Sequence, residues 1–265
     1  MPRLELGLSS VLIESGAHRG GRGVPAYSNN YSIVLDGTND VVDLRDGGTT
    51  DPAGFPLGNS ARTMSAWVKP TTVSGGPYHI FSYGNADQTE FIGWSQKNQA
   101  MRVDQYKAGG NVPTTSNIMV ADEWQHVVLV LSGGTGVLMY RNGSNTATNF
   151  SDFTSVLDTV HGAYGTTIGG IFWSSNFIQT YPGNIDEVAI WNVELDADAI
   201  TAIYNSGVPI DLASDSGNYD NSGDLVGYWR FEEGSGTEAA ETTGTTNVYA
   251  GTLTNGAAYS TDIPE

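Results

Sequence analysis

The sequence predicts an all-β protein, an antiparallel sandwich of two sheets with one short helix, and three observations support this class. Its 265 residues include 34 glycines, which suit many tight turns between short strands. Only 15% of the residues are charged, so polarity comes mainly from Ser, Thr, Asn and Gly rather than from charged helix surfaces. Short alternating or apolar runs recur between turn residues from position 32 to position 256.

The first strands are predicted from alternation and from the turns that separate them. Residues 32–35 and 41–44 are two such runs, joined through Asp36-Gly37 and Asn39-Asp40. Residues 63–69 alternate apolar and polar side chains and stop at Pro70, which has no amide hydrogen for a ladder. Further strands are predicted over residues 78–83, 90–94, 100–106, 124–131, 136–141, 166–170, 184–191, 225–231 and 251–256.

One helix is predicted after the strand that ends in Trp191. The side chain of Asp196 can accept hydrogen bonds from the first free amides as an N-cap. Ile200, Ile203 and Tyr204 then fall on one helical face, and Gly207 follows the expected end.

Three segments, taken in this order, resemble a known family. They are residues 31–44 (YSIVLDGTNDVVDL), 123–132 (EWQHVVLVLS) continuing to 138–143 (LMYRNG), and 183–192 (GNIDEVAIWN). Over about residues 30–207 the chain resembles a laminin G-like domain, the concanavalin A-like lectin/glucanase type of jelly roll. The resemblance implies one jelly-roll domain over residues 29–265, in which residues 210–265 complete or flank the sandwich. Such sandwiches bind sugars, proteins or calcium or serve as scaffolds, so the fold leaves the function open.

Composition excludes several classes of function. The net charge of −18 argues against nucleic acid as a partner, because the phosphate backbone would be repelled. The absence of cysteine excludes disulfides, thiolate zinc sites and cysteine nucleophiles. No apolar run approaches the roughly 20 residues of a membrane-spanning helix, so we expect no membrane insertion.

Calcium is the one cofactor that the resemblance suggests, since such sandwiches hold calcium with oxygen ligands from adjacent loops. Asp36 and Asp186 lie in two of the family segments and could meet at one rim. The spacing of the first loop is also common in plain turns, which is the favoured interpretation. The loop over residues 215–224 is a second acidic candidate, although it lacks the glycine and the final glutamate of an EF-hand. The predicted calcium ligands are Asp36, Asn39, Asp40 and Asp186.

Sugar binding is predicted for an aromatic loop over residues 172–181. Sugars stack their apolar faces on exposed aromatic rings and bind amide groups through their hydroxyls. The same aromatic residues could instead fill the core or an oligomer interface. The predicted ligand-binding residues are Phe172, Trp173, Asn176, Gln179 and Tyr181.

Catalysis is not predicted. Related glucanases carry two glutamates and an aspartate that alternate on one strand. The nearest segment is residues 185–190, where neighbouring Asp186 and Glu187 are expected to point to opposite faces of a strand. The histidines show no metal-binding spacing, and the chain has no Gly-x-Ser-x-Gly segment.

Residues 1–28 are predicted to form an extended N-terminal arm, with Arg3, Arg19 and Arg22 as anchoring residues. The segment is rich in glycine and does not read as a secretory signal. We therefore interpret the chain as a non-enzymatic structural protein of a bacteriophage virion, a surface decoration or fibre displaying the sandwich for adhesion. Its expected partners are other virion proteins or copies of itself, and a cell-surface glycan. The alternatives are a secreted, extracellular carbohydrate-binding or adhesin module of a bacterium and, less favoured, a glycan-cleaving enzyme.

Overall fold

A computed structural model shows how the predicted strands assemble. It describes residues 27–45, 52, 54–85, 89–104, 113–133, 136–146, 157–162, 165–244 and 250–265. Most of the predicted arm, including Arg3, Arg19 and Arg22, lies outside these residues, so its anchoring role stays a prediction.

Two antiparallel sheets pack face to face, which confirms the predicted jelly-roll class. Strand β13 (Pro182–Trp191) is central in sheet A. Strands β1 (Ser32–Asp36) and β14 (Leu225–Trp229) pair with one of its edges, and β3 (Arg62–Pro70) pairs with the other. In spatial order sheet A contains β17 (Ala258–Ser260), β1 (Ser32–Asp36), β13 (Pro182–Trp191), β3 (Arg62–Pro70), β7 (Gln125–Ser132), β8 (Gly136–Arg141) and β9 (Ser144–Asn145), with β14 (Leu225–Trp229) against β13.

Sheet B is the second layer of the sandwich. In spatial order it contains β15 (Glu238–Ala239), β16 (Gly251–Thr254), β2 (Val41–Asp43), β10 (Thr167–Ile168), β4 (Tyr78–Gly84), β5 (Phe91–Lys97) and β6 (Ala100–Asp104). A separate hairpin of β11 (Ile171–Trp173) and β12 (Asn176–Ile178) follows β10. The C-terminal residues supply β14 and β17 to sheet A and β15 and β16 to sheet B.

The main core lies between the two sheets and is built from the inward positions of each strand. On β13 these positions are Ile185, Val188 and Ile190, and Trp94 and Trp229 are among the largest side chains packed with them. Burying a large apolar side chain stabilises the fold by about 1.5–3 kcal/mol, so this layer dominates the stability of the sandwich.

A second apolar cluster covers part of the outer face of sheet A. Helix α1 (Ala197–Tyr204) packs Ile200 and Ile203 against this face, beside Trp191 of β13. Asp196 accepts a hydrogen bond of 2.8 Å from the amide of Ala199, as the sequence predicts for the N-cap. The helix ends at Asn205, which adopts the left-handed conformation with φ of 46°. Among the described residues, no helix combines the length and apolar character needed to span a membrane.

Candidate functional site

The segment predicted to be an aromatic loop is a β-hairpin on the outer face of sheet B, so that prediction was wrong. Ser174 and Ser175 both have positive φ, 47° and 69°, which closes a two-residue turn without the glycine on which sequence recognition of such turns depends. The hairpin is attached at its start by the carbonyl of Gly170. This oxygen accepts hydrogen bonds from Ser82 Oγ at 2.8 Å and from Thr167 Oγ1 at 2.5 Å.

Arg45 holds one face of the hairpin against the sheet. Its guanidinium donates to Asp43 through Nε at 2.8 Å and Nη2 at 2.7 Å, so its plane is fixed by two bonds. The guanidinium carbon lies 3.6 Å from the centre of the Phe172 ring, and Phe177 packs edge-on against Phe172. This cation–π contact on a buried arginine makes the hairpin a rigid extension of β2.

Trp173 and Asn176 share the opposite face of the hairpin. Side chains alternate between the two faces of a strand, and Trp173 is paired directly with Asn176 across the turn. The Trp173 ring is partly exposed, while Asn176 and Gln179 are exposed. Asn176 Nδ2 donates to the carbonyl of Ser174 at 3.0 Å, which fixes its amide beside the turn.

Two predicted ligand-binding residues have structural positions instead. Phe172 faces Arg45, as described above. Tyr181 is fully buried in the core between the sheets, where burial raises the pKa of its phenol well above the ordinary value. Its backbone amide donates to the carbonyl oxygen of Gly169 at 2.8 Å, so Tyr181 belongs to the sandwich and not to the hairpin. The candidate site therefore consists of Trp173, Asn176 and Gln179.

Replacing Ser174-Ser175 by Asn-Gly is expected to stabilise the protein by about 1 kcal/mol. Asn and Gly adopt the left-handed conformation at a lower cost than Ser does. Urea unfolding of the two proteins measures the difference, and an unchanged free energy of unfolding would contradict a strained turn.

Three of the four predicted calcium ligands lie together in the loop between β1 and β2. Asp36 Oδ1 accepts from the amide of Thr38 at 2.7 Å, and Asp40 Oδ2 accepts from the amide of Asp36 at 3.0 Å. The backbone oxygen of Asn39 accepts from Asn255 Nδ2 at 2.8 Å. These hydrogen bonds are the kind that Asp and Asn commonly make in turns. Burial raises the pKa of Asp40 above its ordinary value.

Asp186 is not near this loop, so the expected meeting of Asp36 and Asp186 at one rim was wrong. Asp36 pairs with Pro182 and Ile33 with Ile185, which places Asp186 opposite Ser32, about 13 Å along β1 from Asp36. Within the described part of the chain, no three His, Asp or Glu side chains form a group that could hold a metal ion. Calcium takes six to eight oxygen ligands, and the Asp36 and Asp40 carboxylates each already accept a hydrogen bond from a backbone amide of their loop.

Replacing Asp36 by alanine is therefore expected to cost about 1 kcal/mol, equally with calcium and with a chelator, because only a turn bond is lost. Thermal unfolding under both conditions measures this. A loss confined to the calcium-containing sample would support the sequence prediction of a calcium site.

Asp186 and Glu187 form a buried acidic pair, and the expectation that they point to opposite faces was wrong. Between Asp186 and Ala189 the pairing with β3 shifts by one residue, and Glu187 has φ of 49°. This β-bulge turns Glu187 to the outer side of sheet A, where Asp186 already lies. The amide of Glu187 donates to Asp186 Oδ1 at 2.9 Å.

Three groups from two segments of the chain contact this pair. Tyr228 of β14 donates its hydroxyl to Glu187, and Arg230 Nε lies 3.4 Å from the other carboxylate oxygen. Asn29 Nδ2 donates to Asp186 Oδ2 at 3.0 Å. Burial raises the pKa of Glu187 to about 7, and burial together with the charge of Glu187 raises that of Asp186. Both carboxyl groups are almost fully buried, so they link the N-terminal segment to the sheet rather than face a ligand.

A family model of the concanavalin A-like lectin/glucanases superfamily, Laminin_G_3, matches residues 36–201, which is more than half of the chain. The chain belongs to this laminin G-like family. A search of curated proteins found no match.

Solved structures share the laminin G-like fold of this chain. It is similar to a candidate carbohydrate-binding protein from Bacteroides ovatus, with a TM-score of 0.62 and 18% identity over 90% of this chain and 62% of that one. It is also similar to the heptameric SAP-like pentraxin from Limulus polyphemus, with a TM-score of 0.52 and 16% identity over 84% and 95% of the two chains. At these identities the similarity establishes the fold.

A further polar group lies on the outer face of sheet B of this laminin G-like domain. Ser95 Oγ donates to Asp104 Oδ2 at 2.6 Å, and His79 Nε2 lies 3.4 Å from the same oxygen. Burial would raise the pKa of Asp104, but His79, Ser95 and Arg102 outweigh burial and hold it below the ordinary value. Because the aspartate stands between serine and histidine, the histidine cannot take the serine proton, so the group is not a catalytic triad.

Proposed function

We propose that this laminin G-like domain is a non-enzymatic glycan-binding module that contacts sugar through the exposed face of the β11–β12 hairpin. One observation carries the proposal. Trp173 and Asn176 lie side by side on the face that points away from Arg45, at the turn of a hairpin whose other face is clamped to sheet B.

The chemistry of this face suits a saccharide. The partly exposed indole of Trp173 offers an apolar surface for the C–H face of a sugar ring, and the amides of Asn176 and Gln179 can both donate to and accept from hydroxyl groups. Because Arg45 already holds the hairpin in place, binding would order few further groups, which lowers its entropic cost. The net charge of −18 favours a neutral glycan over an acidic one.

Two features support binding over catalysis. The adjacent carboxylates Asp186 and Glu187 are buried and engaged, so they do not form an accessible acid–nucleophile pair. The fold is also shared with a candidate carbohydrate-binding protein and a pentraxin rather than being specific to glycosidases.

Replacing Trp173 by alanine is expected to weaken glycan binding at least about tenfold, as truncation of a central aromatic contact does. A glycan array would first select the tightest neutral glycan, and calorimetry would then compare affinities. Trp124→Ala is the matched control, because Trp124 is also partly exposed but lies beside the C-terminal Asp262. Equal affinity in the native protein and Trp173→Ala, or loss in both variants, would contradict the proposal.

We further propose that residues before Tyr27 attach the domain to an assembly, with a virion surface as the first setting and an extracellular bacterial adhesin as the second. The ring of Tyr27 stacks on Arg230 beside the acidic pair, so a truncation should begin at Pro25 to keep it. Light scattering is expected to show an oligomer for the full chain and a folded monomer for the truncated chain. Monomers in both cases would contradict self-assembly through the arm.

A further inference from the structure

A cavity of about 420 Å³ lies on the outer face of sheet A, at the opposite side of the sandwich from the hairpin. It is formed between the β8–β9 turn at Asn142–Ser144 and the C-terminal end of helix α1. We propose that this cavity is a second binding site, for an uncharged saccharide or similar polyol. The inference does not depend on the hairpin site. The volume is in the usual range for small-molecule sites.

The lining of the cavity is polar but carries no Asp, Glu, Lys, Arg or His side chain. It presents hydroxyl and amide groups, which can both donate to and accept from sugar hydroxyls. Among the described residues, the hydroxyls of Ser144, Tyr204 and Ser206 and the side-chain Nδ2 of Asn142 have no hydrogen-bond partner. A charged ligand would leave its charge without a partner here, whereas a neutral polyol can satisfy these groups.

Hydrogen bonds and ring packing hold the residues that line the cavity in place before a ligand binds. Asn142 accepts a hydrogen bond from the amide of His126 at 3.0 Å through Oδ1, and its own amide donates to His126 O at 2.8 Å. The Tyr204 ring stacks on Trp67, with ring centres 6.0 Å apart. Gly143 packs directly on Tyr204, where a Cβ would come within 2.9 Å of the ring. These contacts keep the polar groups in place before a ligand arrives.

The side chain packed behind Tyr204, that of His126, is also uncharged. The His126 ring stacks on Tyr204 and accepts or donates a hydrogen bond of 2.8 Å with Ser65 Oγ. Burial lowers the pKa of His126 to about 3, so the imidazole is neutral at physiological pH. This agrees with an uncharged ligand.

Ser206 lines the cavity with a strained backbone, which indicates a role in function rather than in stability. It has φ of 57° directly after the left-handed Asn205, a conformation that serine adopts only with strain. Glycine would release the strain but would remove a hydroxyl group from the lining.

The test is a titration of the ¹⁵N-labelled full chain, followed by amide chemical shifts. The probes are methyl glycosides of glucose, galactose, mannose and N-acetylglucosamine, with glucuronic acid and glucosamine as charged controls. We expect saturable shifts of the Gly143 and Thr201 amides with at least one neutral glycoside and a dissociation constant on the order of 1 mM. Saturation with charged sugars only, or no saturable shift at these amides with any neutral glycoside, would overturn the proposal.

Four variants of the chain localise the effect. Ala202→Gln on helix α1 fills the cavity and is expected to weaken binding at least about fivefold, whereas Ala202→Ser preserves it. Ser206→Gly is expected to raise the unfolding temperature while it weakens binding, and a purely structural serine would change the temperature alone. Trp173→Ala should leave these shifts unchanged, which separates this site from the hairpin site. Unaltered binding in both Ala202→Gln and Ser206→Gly would refute the assignment.

Discussion

Replacing Arg230 by methionine is expected to lower the free energy of unfolding by about 3 kcal/mol at pH 8. The change removes the cation beside Glu187 and leaves two buried carboxyl groups, those of Asp186 and Glu187, without a compensating charge. Methionine keeps much of the volume of arginine, so lost packing contributes little. Urea unfolding at fixed pH measures the loss.

The size of this loss should depend on pH. Burial raises the pKa of Glu187 from its ordinary value of 4.5 to about 7. The folded protein therefore holds a proton that the unfolded chain releases, and the free energy of unfolding falls as the pH rises from about 4.5 to 7. Arg230 lowers this pKa, so Arg230→Met extends the fall to higher pH and loses less stability at pH 5 than at pH 8.

Glu187→Gln is the matched control for this prediction. It removes the carboxyl group of Glu187 and keeps its shape, so the fall of stability between pH 5 and pH 7 should become shallower, with the contribution of Asp186 remaining. Identical pH profiles for the native protein and Glu187→Gln would show that Glu187 is not a source of the pH dependence.

Replacing Gly165 by alanine is expected to destabilise the protein by about 2 kcal/mol more than replacing Gly217 does. The two glycines have similar φ values, 56° and 61°, so both alanines carry the same backbone strain. A Cβ at Gly165 would lie 1.8 Å from Cδ of Arg45, whereas a Cβ at Gly217 meets no atom within 4 Å. The difference in unfolding free energy between the two variants therefore measures the effect of displacing Arg45.

The same pair of variants connects stability to binding. Once Arg45 is displaced, it cannot keep both its hydrogen bonds to Asp43 and its stacking on Phe172. The hairpin is then no longer held against sheet B. We expect Gly165→Ala to weaken glycan binding and Gly217→Ala to leave it unchanged. Equal stability and equal binding in the two variants would contradict the role given to Arg45.

The sequence predicted the sandwich well because its signals are local. Alternation in residues 63–69, the Asn142-Gly143 turn and the Asp196 cap each specify local structure without tertiary contacts. The hairpin was missed because its turn is Ser174-Ser175, whose left-handed conformation is imposed by the surrounding structure.

The candidate sites were harder to predict because they depend on register and on bulges. A one-residue bulge at Glu187 reverses the side that its carboxylate faces, and no pattern in residues 185–190 marks it. Tyr181 and Trp173 are both aromatic residues of one segment, yet one lies in the core and the other on an exposed face. The signal in the sequence that could have located this contact is the pair of opposite charges two residues apart, Asp43 at the end of β2 and Arg45 just after it.

The most direct test of glycan binding by the hairpin is a spectrum of tryptophan indole and side-chain amide signals during titration with the selected glycan. The chain has six tryptophans, so each indole reports on a different region. We expect the Trp173 indole and the Asn176 and Gln179 amides to shift together and to saturate with the same dissociation constant. Saturable shifts of other indoles, with Trp173 and Asn176 unchanged, would contradict it.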